Sequence, residues 1–221
     1  MVKKPTLWLA SSGDLPRPVL AAIGENFALS SESFAPSREP LRQTVEASLD
    51  RAGVALGAVA SAAIAMSSRP ETPAGLRDSD EAYELAVFDL ELLAEAARSA
   101  GRKMAGDGIS GSIVAIADVC GIRGRAESLA ASMASGGCIG FVKSMAKEYG
   151  RYSIRVNVLA HGEIEGGHPK DLSPKERQFL SSSRLAGAGS PASIALALAY
   201  LCDPRSNITG QILNTDGGAI I

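Results

Sequence analysis

Few residues in this chain have the types and spacing that chemistry needs. The two histidines, His161 and His168, form no HxxxH pair, and the three cysteines, Cys120, Cys138 and Cys202, form no CxxC. The donors of a zinc site are therefore not assembled in the sequence, and no metal site is expected. Each cysteine sits among apolar or small neighbours, which predicts buried, reduced thiols. A Gly-x-Gly-x-x-Gly occurs at Gly106, Gly108 and Gly111. It precedes a strand-like run instead of following one and opening a helix, so it reads as a flexible turn and not as a phosphate cradle.

The elements that must position such groups alternate along the chain. Residues 6–10 form an apolar run ending in Ser-Ser-Gly-Asp, a first strand and turn. Pro16 and Pro18 confine a following helix to a start near Arg17 or Pro18. Residues 26–30 read as a second strand and 31–40 as a loop broken by Pro36 and Pro40. Leu41, Val45 and Leu49 lay a helical stripe over residues 41–52. Residues 54–66 are almost wholly small and apolar, as in a strand buried on both faces. A polar loop over 70–80 leads to a long helix over 81–104, rich in Ala, Leu, Glu and Arg. Residues 112–116 form a strand, 127–149 a second long helix with Gly150 at its stop, and 154–159 another strand. Ser190, a good N-cap before Pro191, opens a helix to residue 201, and 211–214 close with a strand. Strands alternating with helices predict an α/β fold: a Rossmann-like doubly wound parallel sheet with helices on both faces. No internal repeat or second-domain boundary is visible, so residues 1–221 read as one domain.

The bulk numbers agree. A chain of 221 residues with 46% hydrophobic and 21% charged residues suits one globular domain. A net charge of -2 gives no electrostatic reason to bind nucleic acid or an anionic membrane. The apolar stretch after Lys3 and Lys4 is too short for a signal peptide, and no run approaches the roughly 20 apolar residues of a bilayer span. A cytoplasmic protein is the expectation.

Three stretches carry a resemblance to a known family. Gly111-Ser-Ile-Val-Ala-Ile-Ala-Asp118 is the first. Gly140-Phe-Val-Lys-Ser-Met-Ala-Lys-Glu-Tyr-Gly150 with Ser153-Ile-Arg-Val-Asn-Val-Leu-Ala-His-Gly162 is the second. Asn207-Ile-Thr-Gly-Gln-Ile-Leu-Asn-Thr-Asp-Gly-Gly218 is the third. In order and spacing they resemble the short-chain dehydrogenases/reductases, from about residue 110 to the end. The family resemblance implies a nicotinamide dinucleotide held by a glycine-rich loop and a proton donated by a tyrosine four residues before a lysine.

The resemblance also locates departures. The family's glycines after the first strand fall on Ser11, Leu15 and Arg17. Pro16 removes a backbone donor there, and Asp14 adds charge of the wrong sign for a pyrophosphate. The reacting tyrosine falls on Ala131, the lysine on Ser135, the serine on Asp118 and the helper asparagine on Asp89. No tyrosine of this chain has a lysine four residues later. The Asn-Asn-Ala-Gly of relatives falls near Ala62-Ala63-Ile64-Ala65. The Pro-Gly beside nicotinamide falls on His161-Gly162, and the threonine after it on Gly166. The expected length between residues 30 and 41, a third strand and its helix, is shortened.

These departures imply no catalytic set and no bound cofactor in this chain. The scaffold remains in Asn157, Asn214 and Asp216-Gly217-Gly218, and the helix over 127–149 is small at Gly136, Gly137 and Gly140. In relatives that helix and the preceding long one form a four-helix interface, and the C-terminal helix and strand form a second. The resemblance thus implies a pseudoenzyme subunit that pairs with a catalytically intact paralogue in a hetero-oligomer. Such an NAD(P)-dependent dehydrogenase would act on an acyl-CoA or aromatic-pathway hydroxy intermediate. Two alternatives stay open. Asp118 and His161, both implied to line the pocket, are the only candidate site residues, and a carboxylate orienting an imidazole would serve as an acid/base pair, with Glu163 and Glu165 nearby. Alternatively, the pocket serves a ligand-binding regulatory protein. In the lid region over 167–184, Lys170, Lys175 and Arg177 read as a solvated or partner-contacting face, with phosphate or CoA binding as the second reading.

Overall fold

The computed structural model describes residues 6–11, 21–23, 25, 28–33, 41–52, 60–65, 80–126, 128–165, 185 and 188–220. In chain order the elements are β1 (Thr6–Ser11), β2 (Ala28–Ser33), α1 (Leu41–Ala52), β3 (Ala60–Ala65), α2 (Asp80–Gly106), β4 (Gly111–Asp118), α3 (Cys120–Arg123), α4 (Leu129–Tyr149), β5 (Ile154–His161), α5 (Pro191–Cys202) and β6 (Ile212–Thr215). The six strands form one sheet in the order β2-β1-β3-β4-β5-β6. Every neighbouring pair is parallel. This is the open Rossmann-like α/β architecture. Among the described residues, α1 is the only element between β2 and β3, in keeping with the expected shortening there.

The period of two along β4 builds two cores. Ile113, Ala115 and Ala117 face α2 and α4, where they join Val45 of α1, Leu92, Leu93, Ala96 and Met104 of α2, and Cys138, Val142 and Met145 of α4. Val114 and Ile116 face the other way, onto Ile194, Ala195, Leu198 and Leu201 of α5 and onto Ile23. All eight β4 residues are buried, as a central parallel strand covered on both faces requires. β5 repeats the pattern, with Val156, Val158 and Ala160 on the α4 side and Leu159 on the α5 side.

Several boundaries depart from the sequence expectation. β4 and β5 each run two residues further, to Asp118 and His161, because their ladder continues past the apolar run. Residues 31–33, expected as loop, belong to β2, where β1 supplies the pairing. The strand expected over 54–66 covers Ala60–Ala65, with 54–59 outside the described residues. Gly150 does not stop α4 through a left-handed turn. It stays right-handed at φ -55 and opens a 3-10 turn, and Ser153 takes the positive φ of 58. Residues 21–23 and 25 are helical, while 17–20 lie outside the described residues. α5 begins as expected, with the Ser190 side chain accepting from the Ser193 N–H and Pro191 in the first turn.

Candidate functional site

In open α/β sheets ligands bind beyond the carboxyl ends of the strands. Here those ends bring Asp118 and His161 side by side as register partners on β4 and β5. The main chain around them is tightly stitched. Val119 N donates to His161 O at 3.0 Å, and Gly162 N donates to Thr215 O at 3.2 Å. Gly162 has no room for a side chain, since a Cβ would lie 2.9 Å from Asp216 Cα. The segment beyond β5 pairs with the entry to α5, through Gly189 N to Glu163 O at 2.8 Å and Glu165 N to Gly189 O at 2.9 Å.

Although adjacent, Asp118 and His161 are not coupled. The Asp118 carboxylate accepts from Cys120 N at 2.7 Å, closing the turn into α3. It also accepts from Arg125 Nη2 at 3.0 and 2.9 Å. His161 Nδ1 lies 2.8 Å from Gly162 O. A carbonyl only accepts, so Nδ1 carries the hydrogen, and the backbone, not Asp118, sets the tautomer. Asp118 instead caps a turn and binds a cation.

That cation is Arg125, which the sequence reading missed. It follows Gly124, a residue at φ 73 that turns the chain out of α3. Its guanidinium also reaches Glu163 Oε1 at 3.6 Å, so one cation bridges the residues ending β4 and following β5. The Asp118 side chain is 8% exposed, that of Glu163 14% and that of Arg125 24%. Burial works against the Arg125 charge, but the carboxylates of Asp118 and Glu163 outweigh it and hold its pKa above the ordinary guanidinium value. The sequence signal for this role was an arginine after a glycine, two residues beyond Arg123, which is too common to single out.

The other expected positions are placed as follows. Ala131 is half-buried in the first turn of α4, and Ser135 is buried one turn later. Ser135 packs on Gly121 so closely that a Cβ on that glycine would lie 2.5 Å from the serine main-chain carbon. Asp89 is buried on α2. Residues 12–17, and with them the whole run from Ser12 to Arg17, lie outside the described residues, as do Gly166, His168, Lys170, Lys175 and Arg177. Gly106-x-Gly108-x-x-Gly111 is the turn from α2 into β4, with Gly108 at φ 67. All three cysteines are buried free thiols. Burial, reinforced by the charge of Asp118, pushes the Cys120 pKa up to about 11. Burial alone pushes that of Cys138 to about 12. Among the described residues, no cluster of three or more His, Cys, Asp or Glu is placed to hold a metal ion. No helix among them is long and apolar enough to cross a membrane.

A parallel sheet of this order, covered on both faces and carrying its polar cluster at the carboxyl ends of β4 and β5, defines a Rossmann-like α/β protein. The family described as enoyl-(acyl carrier protein) reductase matches residues 22–219, and the chain belongs to the short-chain dehydrogenase/reductase family. A 3-oxoacyl-[acyl-carrier-protein] reductase of Chlamydia muridarum is 40% identical over 111 residues, 49% of this chain and 45% of that protein. The enzyme of the same name from Rattus norvegicus is 40% identical over 121 residues, 55% of this chain and 49% of that protein. The matched stretch therefore spans about half the length of these relatives. A short-chain dehydrogenase from Leptospira borgpetersenii, solved with bound NAD+, shares the fold with a TM-score of 0.76 over 99% of this chain and 94% of its own, at 18% identity.

Proposed function

We propose that this chain is a non-catalytic short-chain dehydrogenase/reductase subunit that assembles with a catalytically intact paralogue into a hetero-oligomeric NAD(P)-dependent oxidoreductase. The observation that carries the reading is the commitment of Asp118. Relatives use the residue at the end of this strand as a free hydroxyl that orients substrate, whereas here it is a carboxylate consumed by Arg125 and by Cys120 N. On α4, Ala131 offers no hydroxyl and Ser135 no cation, so the proton donor and its activating charge are both missing from the face that would need them. The nicotinamide end of a dinucleotide does not fit this set of residues. Loss of one acid–base group typically costs about 10²–10⁴ in rate, and here several are replaced together.

The relatives named as 3-oxoacyl-[acyl-carrier-protein] reductases support an acyl thioester as the substrate class of the assembled enzyme. The acid/base alternative loses support, because Asp118 and His161 share no hydrogen bond. The test is to purify the chain alone and with a co-expressed paralogue, following nicotinamide absorbance with 3-oxoacyl thioesters. No turnover by the lone chain, no calorimetric heat with NAD or NADP, and co-purification with the paralogue are the expected results. Hydride transfer by the lone polypeptide overturns the proposal.

A further inference from the structure

We propose that the outward face of α2 and α4 is a two-fold interface for a second copy of this chain, with Glu91 of each copy against Arg98 of the other. The inference goes beyond the paralogue reading, since it gives any larger assembly a core of two copies and is tested on the chain alone. α2 and α4 lie side by side over one face of the sheet and run in step: a Cβ on Gly137 would lie 2.9 Å from Leu90 Cδ2, and one on Gly101 2.5 Å from Tyr149 Cε1. Their outward surface calls for a cover. α4 carries no charged residue from Leu129 to Val142. Yet Leu129 is 59% exposed and Met133 41%, and Val87, one turn before Leu90 on α2, is 48% exposed. Gly137 and Gly140 also face outward, and nothing lies within 4 Å of the Cβ direction of Gly140, so another backbone can approach closely there. A helix without a charged face is ordinarily covered.

The charges of α2 identify the cover. On the flank toward α1, Arg102 and Glu95 pair with each other and with Glu46 and Arg42. Glu91 and Arg98 are exposed on the outward face, two turns and about 10 Å apart, and neither forms an ion pair among the described residues. Ala94 lies between them, level with Phe141 and beside Gly140 on α4. In an isologous contact, residue i of one copy meets residue j of the other, and j meets i. A two-fold axis at Ala94, perpendicular to the helices, lays α2 antiparallel on its counterpart and sets each Glu91 against the other copy's Arg98. Ala94 and Gly140, both small, then lie near the axis, where the two layers come closest. Two helices about 30 Å long and about 10 Å wide offer about 600 Å² per copy, or about 1,200 Å² in all, the lower bound of a stable interface.

The experiment is sedimentation of the purified full chain, with circular dichroism as the check on folding. The wild type is expected to dimerise at micromolar concentration and to dissociate further as salt is added. Glu91→Arg and Arg98→Glu each oppose like charges at both cross-pairs and are expected to weaken dimerisation at least tenfold. An equimolar mixture of the two variants restores opposite charges at both cross-pairs, so it is expected to dimerise as the wild type does. The double variant is expected to do the same. A merely structural role for either side chain is not rescued by mixing. A monomeric wild type, folded single variants that dimerise unchanged, or no recovery on mixing overturns the proposal. So does a lone monomer whose capture of a co-expressed paralogue is lost in Glu91→Arg, which gives this face to the paralogue. Paralogue capture is scored apart from sedimentation of the lone chain, so either proposal can fail without the other.

Discussion

Arg125 grips Asp118 through both carboxylate oxygens, at 3.0 and 2.9 Å, across seven residues of chain. Both contacts come from one nitrogen, Nη2, and this charge-assisted bond lies where little water competes. Breaking one side leaves the other charge buried. Asp118→Ala is expected to cost about 3 kcal/mol of stability. Asp118→Asn is expected to cost about 1 kcal/mol less, because its amide oxygen still accepts from Cys120 N. Urea unfolding followed by circular dichroism measures both, and equal losses would remove the turn-capping role of the side-chain oxygen.

The buried thiols make the fold sensitive to alkali. Their ordinary value is 9.0, and in the folded chain Cys120 is raised to about 11 and Cys138 to about 12. A group whose folded pKa is raised holds its proton more tightly in the folded state. Stability is then flat in these groups below pH 9 and falls as pH rises through 9 to 11, by up to about 1.4 kcal/mol per thiol per pH unit. Urea midpoints at pH 8 and pH 10.5, as chosen conditions, are expected to differ less in Cys138→Ala than in wild type. An unchanged difference would show that Cys138 does not couple to alkaline unfolding.

Two glycines near α4 look alike in sequence and differ in space. A Cβ at Gly121 would lie 2.5 Å from the Ser135 Cβ and 2.6 Å from Gly136 N, so Gly121→Ala forces α3 and α4 apart. A cost of about 3 kcal/mol is expected, at the upper end of overpacking. Gly140 has nothing within 4 Å of its Cβ direction. Gly140→Ala is expected to stabilise the isolated chain by about 0.5–1 kcal/mol through helix propensity. If α4 is the paralogue-facing helix, the same substitution weakens co-purification, and thermal melts beside pull-downs separate the two effects.

Asn157 ties β5 to the approach of β6. It is fully buried, donates Nδ2–H to Ile208 O at 2.8 Å and accepts from Gln211 N at 3.1 Å through Oδ1. Asn157→Ala strands both main-chain partners and is expected to cost about 2–4 kcal/mol. Asn157→Asp keeps the acceptor and loses the donor, so its cost exceeds that of a neutral exchange only if the carboxylate stays charged. Amide hydrogen exchange at residues 208–213 is expected to rise in both variants, and protection equal to wild type would assign the residue no role in holding this connection.

Local sequence determined those parts of the fold whose interactions are close along the chain. The stripe of Leu41, Val45 and Leu49 marked α1 at both ends, and Ser190-Pro191 marked the start of α5, because helix hydrogen bonds and caps close within four residues. The run over 112–116 marked the strand β4, and the spacing of Asn157 and Asp216-Gly217-Gly218 carried the family. Tertiary structure alone decided the rest. β4 reaches Asp118 only because β5 supplies partners as far as His161. Gly150 was a plausible stop, yet the left-handed residue is Ser153, since the entry to β5 sets where the chain must turn. The two residues singled out for a pocket are neighbours in register but not partners. Asp118 takes Arg125 and His161 takes its own backbone, a choice made by distances between loops after different strands, which no period or propensity along the chain encodes.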